Sequence, residues 1–203
     1  MKMTNMHNLA VYKFWAPIYD STVKPGRQRA LDILALKPNE KVLIEGAGTG
    51  DDFHLLPDGI EATAIDISPD MLAKARIKLA KSRARITLIQ GDAQTLLVPE
   101  ESYDAAILNL ILSVIPDGRA CLEATLQAIK PGGRLVIFDK FQPDDKKVTI
   151  MRKFLNYFST IFGTDITRRF GDLYIDKTCQ VILNDPNIMG GMYRVILLYK
   201  NQW

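Results

Sequence analysis

The stretch KVLIEGAGTG, residues Lys41 to Gly50, decides how the rest of the chain is to be read. A short apolar strand, Val42 to Ile44, runs into an acid, Glu45, and then into Gly46, Gly48 and Gly50, separated by Ala47 and Thr49. Glycines spaced this way supply the dihedral freedom and the missing Cβ that a tight strand-to-helix turn needs where a ligand touches the backbone. The spacing departs from G-x-G-x-x-G, because Asp51 stands where the last glycine of that fingerprint belongs.

Charge narrows the ligand. Glu45 precedes the glycines, and Asp51 and Asp52 follow at the start of a helix expected over Thr49 to Leu56. Carboxylates there repel a phosphate and occupy the positive end of the helix dipole. The loop therefore suits a cationic, phosphate-free nucleoside, a description that S-adenosylmethionine fits with its sulfonium and ammonium groups. After the turn Pro57-Asp58-Gly59, the segment Glu61 to Asp66 reads as a second strand ending in an acid, twenty positions after Gly46. A second parallel strand delivers a carboxylate to a ribose diol at that point, since it can accept both hydroxyl protons. A role for Asp66 as helix cap is the weaker reading, because Ser68, just before Pro69, fills it.

The helix from Pro69 to about Lys81 carries Met71, Leu72, Ala75 and Leu79 on one face. Its basic residues, continuing to Arg83 and Arg85, read as a solvated face or as a patch for an anionic membrane surface. Arg85 to Gln90 is the third expected strand, followed at once by Gly91-Asp92-Ala93. Asp92 can receive the exocyclic amine of adenine while the neighbouring N–H, at Ala93, serves a ring nitrogen. Tyr103 to Asn109 is the fourth strand, with Asn109 at the carboxyl end, where open α/β sheets place reacting groups. A helix over Pro116 to Lys130 is expected to stop at Pro131-Gly132-Gly133, before a strand from Arg134 to Phe138. Helical spacing near Asp144 to Phe162 and two closing strands, around Thr178 to Leu183 and from Tyr193 to Tyr199, complete the chain; the two strands read as a hairpin.

The chain has 203 residues, 47% hydrophobic and 24% charged, which suits one well-buried α/β domain. A net charge of +3 gives no indication of nucleic acid. Cys121 and Cys179 lack metal spacing and read as reduced thiols of a cytoplasmic protein. No secretory signal is visible, and the longest apolar run, Ala105 to Ile115, is too short to span a bilayer.

Taken together, EGAGTG, AIDISPDMLAKA, GDAQTL, YDAAILN and IKPGGRLVIFD, in this order, resemble the class I S-adenosylmethionine-dependent methyltransferases over about Lys37 to Lys140. The resemblance implies an α/β, Rossmann-like sheet of seven strands, mostly parallel, in the order 3-2-1-4-5-7-6, with strand 7 antiparallel and helices on both faces. It also implies a cofactor held by Tyr19, Glu45, Gly46, Ala47, Gly48, Gly50, Asp66, Ile67, Met71, Asp92, Ala93 and Asn109. Within that class, YKFWAPIYD, SPDMLAKAR and SVIPD resemble the bacterial phosphatidylethanolamine N-methyltransferases and the ubiquinone and menaquinone C-methyltransferases. Ser113 stands where many quinone relatives carry a histidine, and the aromatic-rich start favours the lipid enzymes. No metal is expected. Nothing like NPPY or DPPY follows the fourth strand, which argues against an adenine amino group as acceptor.

Residues 7 to 19 place Val11, Phe14, Trp15 and Ile18 at helical spacing. Two readings stay open: a lid packed on the core, or an interfacial helix that dips Trp15 and Phe14 into lipid beside Lys2, Lys13 and Lys24. A second helix is expected from Gly26 to Leu36. Residues 1–36 would then form a helical lid, 37–140 the cofactor core and 141–203 the substrate side of one domain. Methyl transfer from a sulfonium asks the protein chiefly to align the reactants and exclude water. An amine acceptor must also lose a proton, to Tyr19 or to a chain of water. Tyr19 and Asn109 are the candidate catalytic residues; Tyr12, Asp139, Arg168, Arg169 and Tyr174 are the candidates for the acceptor, the two arginines as phosphate ligands or as ordinary surface charges. The acceptor is read as a phospholipid or another small molecule, and a non-catalytic cofactor-binding domain is the reading from another class.

Overall fold

Val42, Leu43 and Ile44 are all buried, so both faces of their strand are covered, as a central parallel strand requires. The computed structural model describes residues 22–95, 97–142, 168–173, 178–188 and 191–202. Along the chain run helix α1 (22–34), strands β1 (Lys41–Glu45) and β2 (Glu61–Asp66), helix α2 (Pro69–Lys78) and strands β3 (Arg85–Gln90) and β4 (Tyr103–Asn109). Helix α3 (Gly118–Ala128) and strands β5 (Ile129–Lys140), β6 (Cys179–Pro186) and β7 (Tyr193–Lys200) follow. The sheet has the order β3-β2-β1-β4-β5-β7-β6. β1 to β5 are parallel, and β7 runs antiparallel between β5 and β6.

Two apolar layers flank the sheet. On one face Val42, Ile44, Ala105, Ile107, Val136 and Phe138 pack against Ala30, Leu31 and Leu34 of α1, Phe53, and Ala75 of α2. On the other, Leu43, Leu108, Leu135 and Ile137 pack against Cys121, Leu122 and Leu126 of α3. Helices preceding β4 thus lie on one face and α3 on the opposite one. The connection reverses between β1 and β4, and the crevice outside their carboxyl ends is where open α/β sheets bind ligands.

Local chemistry sets the ends of the elements. The Ser68 hydroxyl accepts from the Met71 N–H at 3.3 Å with Pro69 at N1, and the Asp117 side chain accepts from the Ala120 N–H at 2.9 Å. α1 closes on Ala35 at φ 49°, where Arg134 donates to the Leu34 carbonyl at 2.7 Å and the Ala35 carbonyl at 2.8 Å. The same guanidinium grips both oxygens of Glu40, at 2.9 and 2.8 Å. Glu40 is therefore held below the usual carboxylate range: burial opposes ionisation, and the Arg134 and Lys37 hydrogen bonds outweigh it.

Several expectations need correction. No α-helix spans Thr49 to Leu56; turns lead into a short 3₁₀ segment, Phe53–Leu55. The expected helix over Pro116 to Lys130 is trimmed to Gly118–Ala128, and α1 lies two to four residues earlier than Gly26 to Leu36. Pro131-Gly132-Gly133 does not precede β5 but lies inside it, as a bulge between the pairs Tyr103↔Ile129 and Ala105↔Arg134. A Cβ on Gly133 would sit 2.9 Å from the Asp104 carbonyl oxygen, so the bulge tolerates no side chain there. β6 extends three residues beyond the expected strand and forms the hairpin with β7. Tyr12, Tyr19 and the rest of the expected helix over residues 7–19, the stretch Asp144 to Phe162, and Tyr174 lie outside the described residues.

Candidate active site

Gly46, Gly48 and Gly50 all have positive φ, at 68°, 54° and 77°. They differ in what surrounds them. A Cβ on Gly50 would meet Phe53 at 2.7 Å and the Ala75 backbone at 3.2 Å, so this glycine lets α2 approach the loop. A Cβ on Gly48 would have only the Gly46 carbonyl oxygen within range, at 3.9 Å. Gly48 is the position where backbone faces open space and a ligand can reach it.

Asp66 ends β2 and is bound into this loop. Its two oxygens accept from the Gly48 N–H at 2.7 Å and the Ser68 N–H at 2.9 Å. A carboxylate has about four acceptor positions, so lone pairs remain for two hydroxyls. Ile67, next in the chain, is 65% exposed and offers an apolar surface beside them, and Met71 is half-buried on the first turn of α2. Asp92, after β3, accepts from the Gln94 backbone N–H at 3.0 Å and from the Gln94 side-chain amide at 2.9 Å. Those bonds hold its carboxyl below the usual range. Gln94 Oε1 accepts in turn from the Asp117 N–H at 2.8 Å, which ties this loop to the start of α3, and Ala93 is buried behind it.

Glu45 lies beneath the loop, 3% exposed. Burial, and secondarily Asp92, push its carboxyl up to about 8. Its Oε2 is buried without a hydrogen-bond partner. The acids after the loop behave differently. Asp51 is bound by Lys78 and accepts from the Thr49 hydroxyl at 2.9 Å; burial opposes its ionisation, and these bonds outweigh it. Asp52 pairs with Arg27 of α1 at 2.8 Å. Neither sits at an α-helix dipole, and each has its own cation. The site's polar groups are mainly acceptors: the Asp66 and Asp92 carboxylates and, on the other face, Asn109 Oδ1, which is buried and lacks a donor. A phosphate brings only acceptors and cannot satisfy them. A nucleoside with hydroxyls, an exocyclic amine and an ammonium brings donors to all of them.

Asn109 ends β4, 3% exposed, and its amide nitrogen donates to Asp52 at 3.0 Å. Asp139 ends β5, wholly buried. Its oxygens accept from the Ser113 N–H at 2.9 Å and the Lys140 N–H at 2.7 Å, and burial raises its pKa against those bonds. Asp139 thus braces the loop after β4. Arg168 is committed to the same loop, donating to the carbonyls of Leu112, Ile115 (3.0 Å) and Pro116 (3.3 Å). Arg169 pairs with Gln142 in a parallel bridge. Sequence reasoning missed Gln94, the contact of Ser113 with Asp139 and the pairing of Arg27 with Asp52; the last two join partners 26 and 25 residues apart, and only the charge of Asp52 was visible.

The sheet order, the glycine turn and the acids at successive strand ends define a class I S-adenosylmethionine-dependent methyltransferase. Residues 42–133 match a methyltransferase domain family. The chain is 29% identical over 189 residues to phosphatidylethanolamine N-methyltransferase of Cereibacter sphaeroides, covering 90% of this chain and 92% of that one. It is 26% identical over 163 residues to the ubiquinone/menaquinone biosynthesis C-methyltransferase of Shewanella frigidimarina, covering 77% of this chain but only 59% of that one. A crystal structure from Bacillus halodurans C-125 superposes with a TM-score of 0.73 at 14% identity, covering 87% of this chain and 99% of that one, and establishes the likeness of fold.

Proposed function

We propose that this methyltransferase acts on the amine of a phospholipid headgroup of the phosphatidylethanolamine type. The observation that carries the reading is the nearly end-to-end match to the Cereibacter enzyme, against the partial coverage of the quinone enzyme. The buried Asn109 Oδ1 at the end of β4, which lacks a donor, accords with it, since an amine supplies an N–H.

S-adenosylmethionine supplies a methyl group already activated by the positive sulfur. In this reading Asp66 receives the ribose hydroxyls, Ile67 and Met71 lie against the purine, and Asp92 with Ala93 reads its edge. Glu45, Gly46, Ala47, Gly48 and Gly50 form the floor beneath the amino-acid part. The amine nitrogen attacks the methyl carbon in line as the carbon–sulfur bond breaks, and the proton passes to Tyr19 or to water. Tyr12, Tyr174 and Arg169 remain candidates for the headgroup, whereas Arg168 and Asp139 act by shaping the loop after β4. Residues 1–36 form the lid, 37–140 the cofactor core and 141–203 the substrate side of one domain, which meets the cytoplasmic face of a membrane peripherally through the aromatic 7–19 segment. Among the described residues no helix is long and apolar enough to cross a membrane.

The test is release of S-adenosylhomocysteine with phosphatidylethanolamine vesicles against demethylated quinol in detergent. The reading expects release with the vesicles, reduced by Trp15→Ala. Release with the quinol alone would replace the lipid by the quinone as acceptor.

A further inference from the structure

We infer that Asp52 is a positioning residue of this site: held by Arg27, it orients the Asn109 amide so that Oδ1 faces an N–H donor of the bound ligand. The inference rests on the methyl-transfer reading. Asp52 is 3% exposed, an unusual place for a carboxylate. A single oxygen, Oδ1, takes both Arg27 Nη1 at 2.8 Å and Asn109 Nδ2 at 3.0 Å. With a guanidinium on it, the carboxylate only accepts, so the nitrogen end of the Asn109 amide must face it. Turning the amide over would set two oxygens against each other and lose the bond. The orientation is thereby fixed, and Asn109 Oδ1 points away, buried and without a donor.

A buried acceptor left unsatisfied is costly, and such groups concentrate where a ligand completes them. Asn109 closes β4, beside β1 across the reversal point of the sheet, where Glu45 pairs with Leu108. The chemistry it selects is a hydrogen-bond donor, which an amine N–H supplies. Two sources carry one: the amino group of the cofactor's amino-acid part, and the amine of the methyl acceptor. Phosphate, carboxylate and carbonyl ligands are disfavoured alike. Because Arg27 lies on α1, the relay also joins the N-terminal helix to the end of β4.

The experiment compares wild type with Asp52→Asn and Asn109→Leu, and uses two nucleosides as calorimetric probes. S-adenosylhomocysteine carries the amino group; 5′-methylthioadenosine lacks it. Asp52→Asn frees the amide to turn over, since its new side chain can donate. Asn109→Leu removes Oδ1 while the Arg27–Asp52 pair stays, and covers the case in which the first variant folds poorly. If the cofactor is the source, both variants lose about tenfold in affinity for S-adenosylhomocysteine and keep that for methylthioadenosine. If the acceptor is the source, both nucleosides bind as in wild type while KM for phosphatidylethanolamine vesicles rises about tenfold. Equal losses for the two nucleosides, or variants with wild-type affinities and KM, overturn the inference. A wild type that binds neither nucleoside overturns the methyl-transfer reading beneath it as well.

Discussion

At the scale of single residues, Glu45 makes the strongest pH-dependent claim. Its folded pKa is raised from 4.5 to about 8, by burial first and Asp92 second. Between those values the folded protein keeps a proton that the unfolded chain has released, so stability falls as pH rises through the window and is level above it. Each unit corresponds to about 1.4 kcal/mol, an upper limit for a group that can relax. Glu45→Gln should abolish this slope, read as a urea midpoint that no longer drops between about pH 5 and pH 8. A variant with the wild-type slope would show that another group carries the dependence. Gly48→Ala makes the complementary case. Its Cβ meets open space but φ is 54°, so the substitution should cost only about 1 kcal/mol in stability while weakening S-adenosylhomocysteine strongly in calorimetry. The sequence pointed to the acids at the strand ends because each follows an apolar run at a fixed place. It could not show that Asp51 and Asp52 are neutralised, because Lys78 and Arg27 stand 27 and 25 residues away.

At the scale of elements, two contacts decide how α1 sits. A Cβ on Gly26 would fall 2.1 Å from Cζ, at the tip of the Phe138 ring in β5. Gly26→Ala therefore overpacks the helix–sheet contact and should lower stability by about 1–3 kcal/mol in denaturant melts, despite the better helix propensity of alanine. Arg134→Met strips the last turn of α1 of its donor and leaves Glu40 unpaired. We expect a loss of about 3 kcal/mol near neutral pH. Since the folded pKa of Glu40 is depressed, that stabilisation is present above its ordinary value of 4.5 and fades as pH falls through the folded one. The difference between wild type and variant should shrink on acidification. Strands β2, β3 and β4 were legible to the residue, because Glu61–Asp66, Arg85–Gln90 and Tyr103–Asn109 are apolar runs bounded by turn formers. The segment 49–56 was not: its helix signals were two acids, and those serve side-chain pairs, leaving only a 3₁₀ turn anchored by Phe53. The bulge at Pro131-Gly132-Gly133 read as a stop because nothing in the local sequence reveals the pairing partner, Tyr103 to Ala105.

For the whole molecule, the sheet order brings residues from four strand ends to one edge, and the nature of their unmet needs gives the account its direction. Carboxylates and amide oxygens predominate there, so the complementary ligand is rich in donors and carries positive charge. The architecture was legible because the five motifs follow one another at the intervals of successive strands and crossovers. The acceptor was less so: its candidates Tyr12, Tyr19 and Tyr174 lie outside the described residues, and Arg168 and Asp139 hydrogen-bond to the loop after β4. Binding of S-adenosylhomocysteine should raise the melting temperature with ligand concentration, as a ligand of the folded state must. The most direct measurement is intact-lipid mass spectrometry after incubating the protein with phosphatidylethanolamine vesicles and S-adenosylmethionine bearing a deuterated methyl group. The account predicts phosphatidylethanolamine carrying one or more labelled methyl groups on nitrogen; unlabelled lipid, with the label transferred instead to an added quinol, would contradict it.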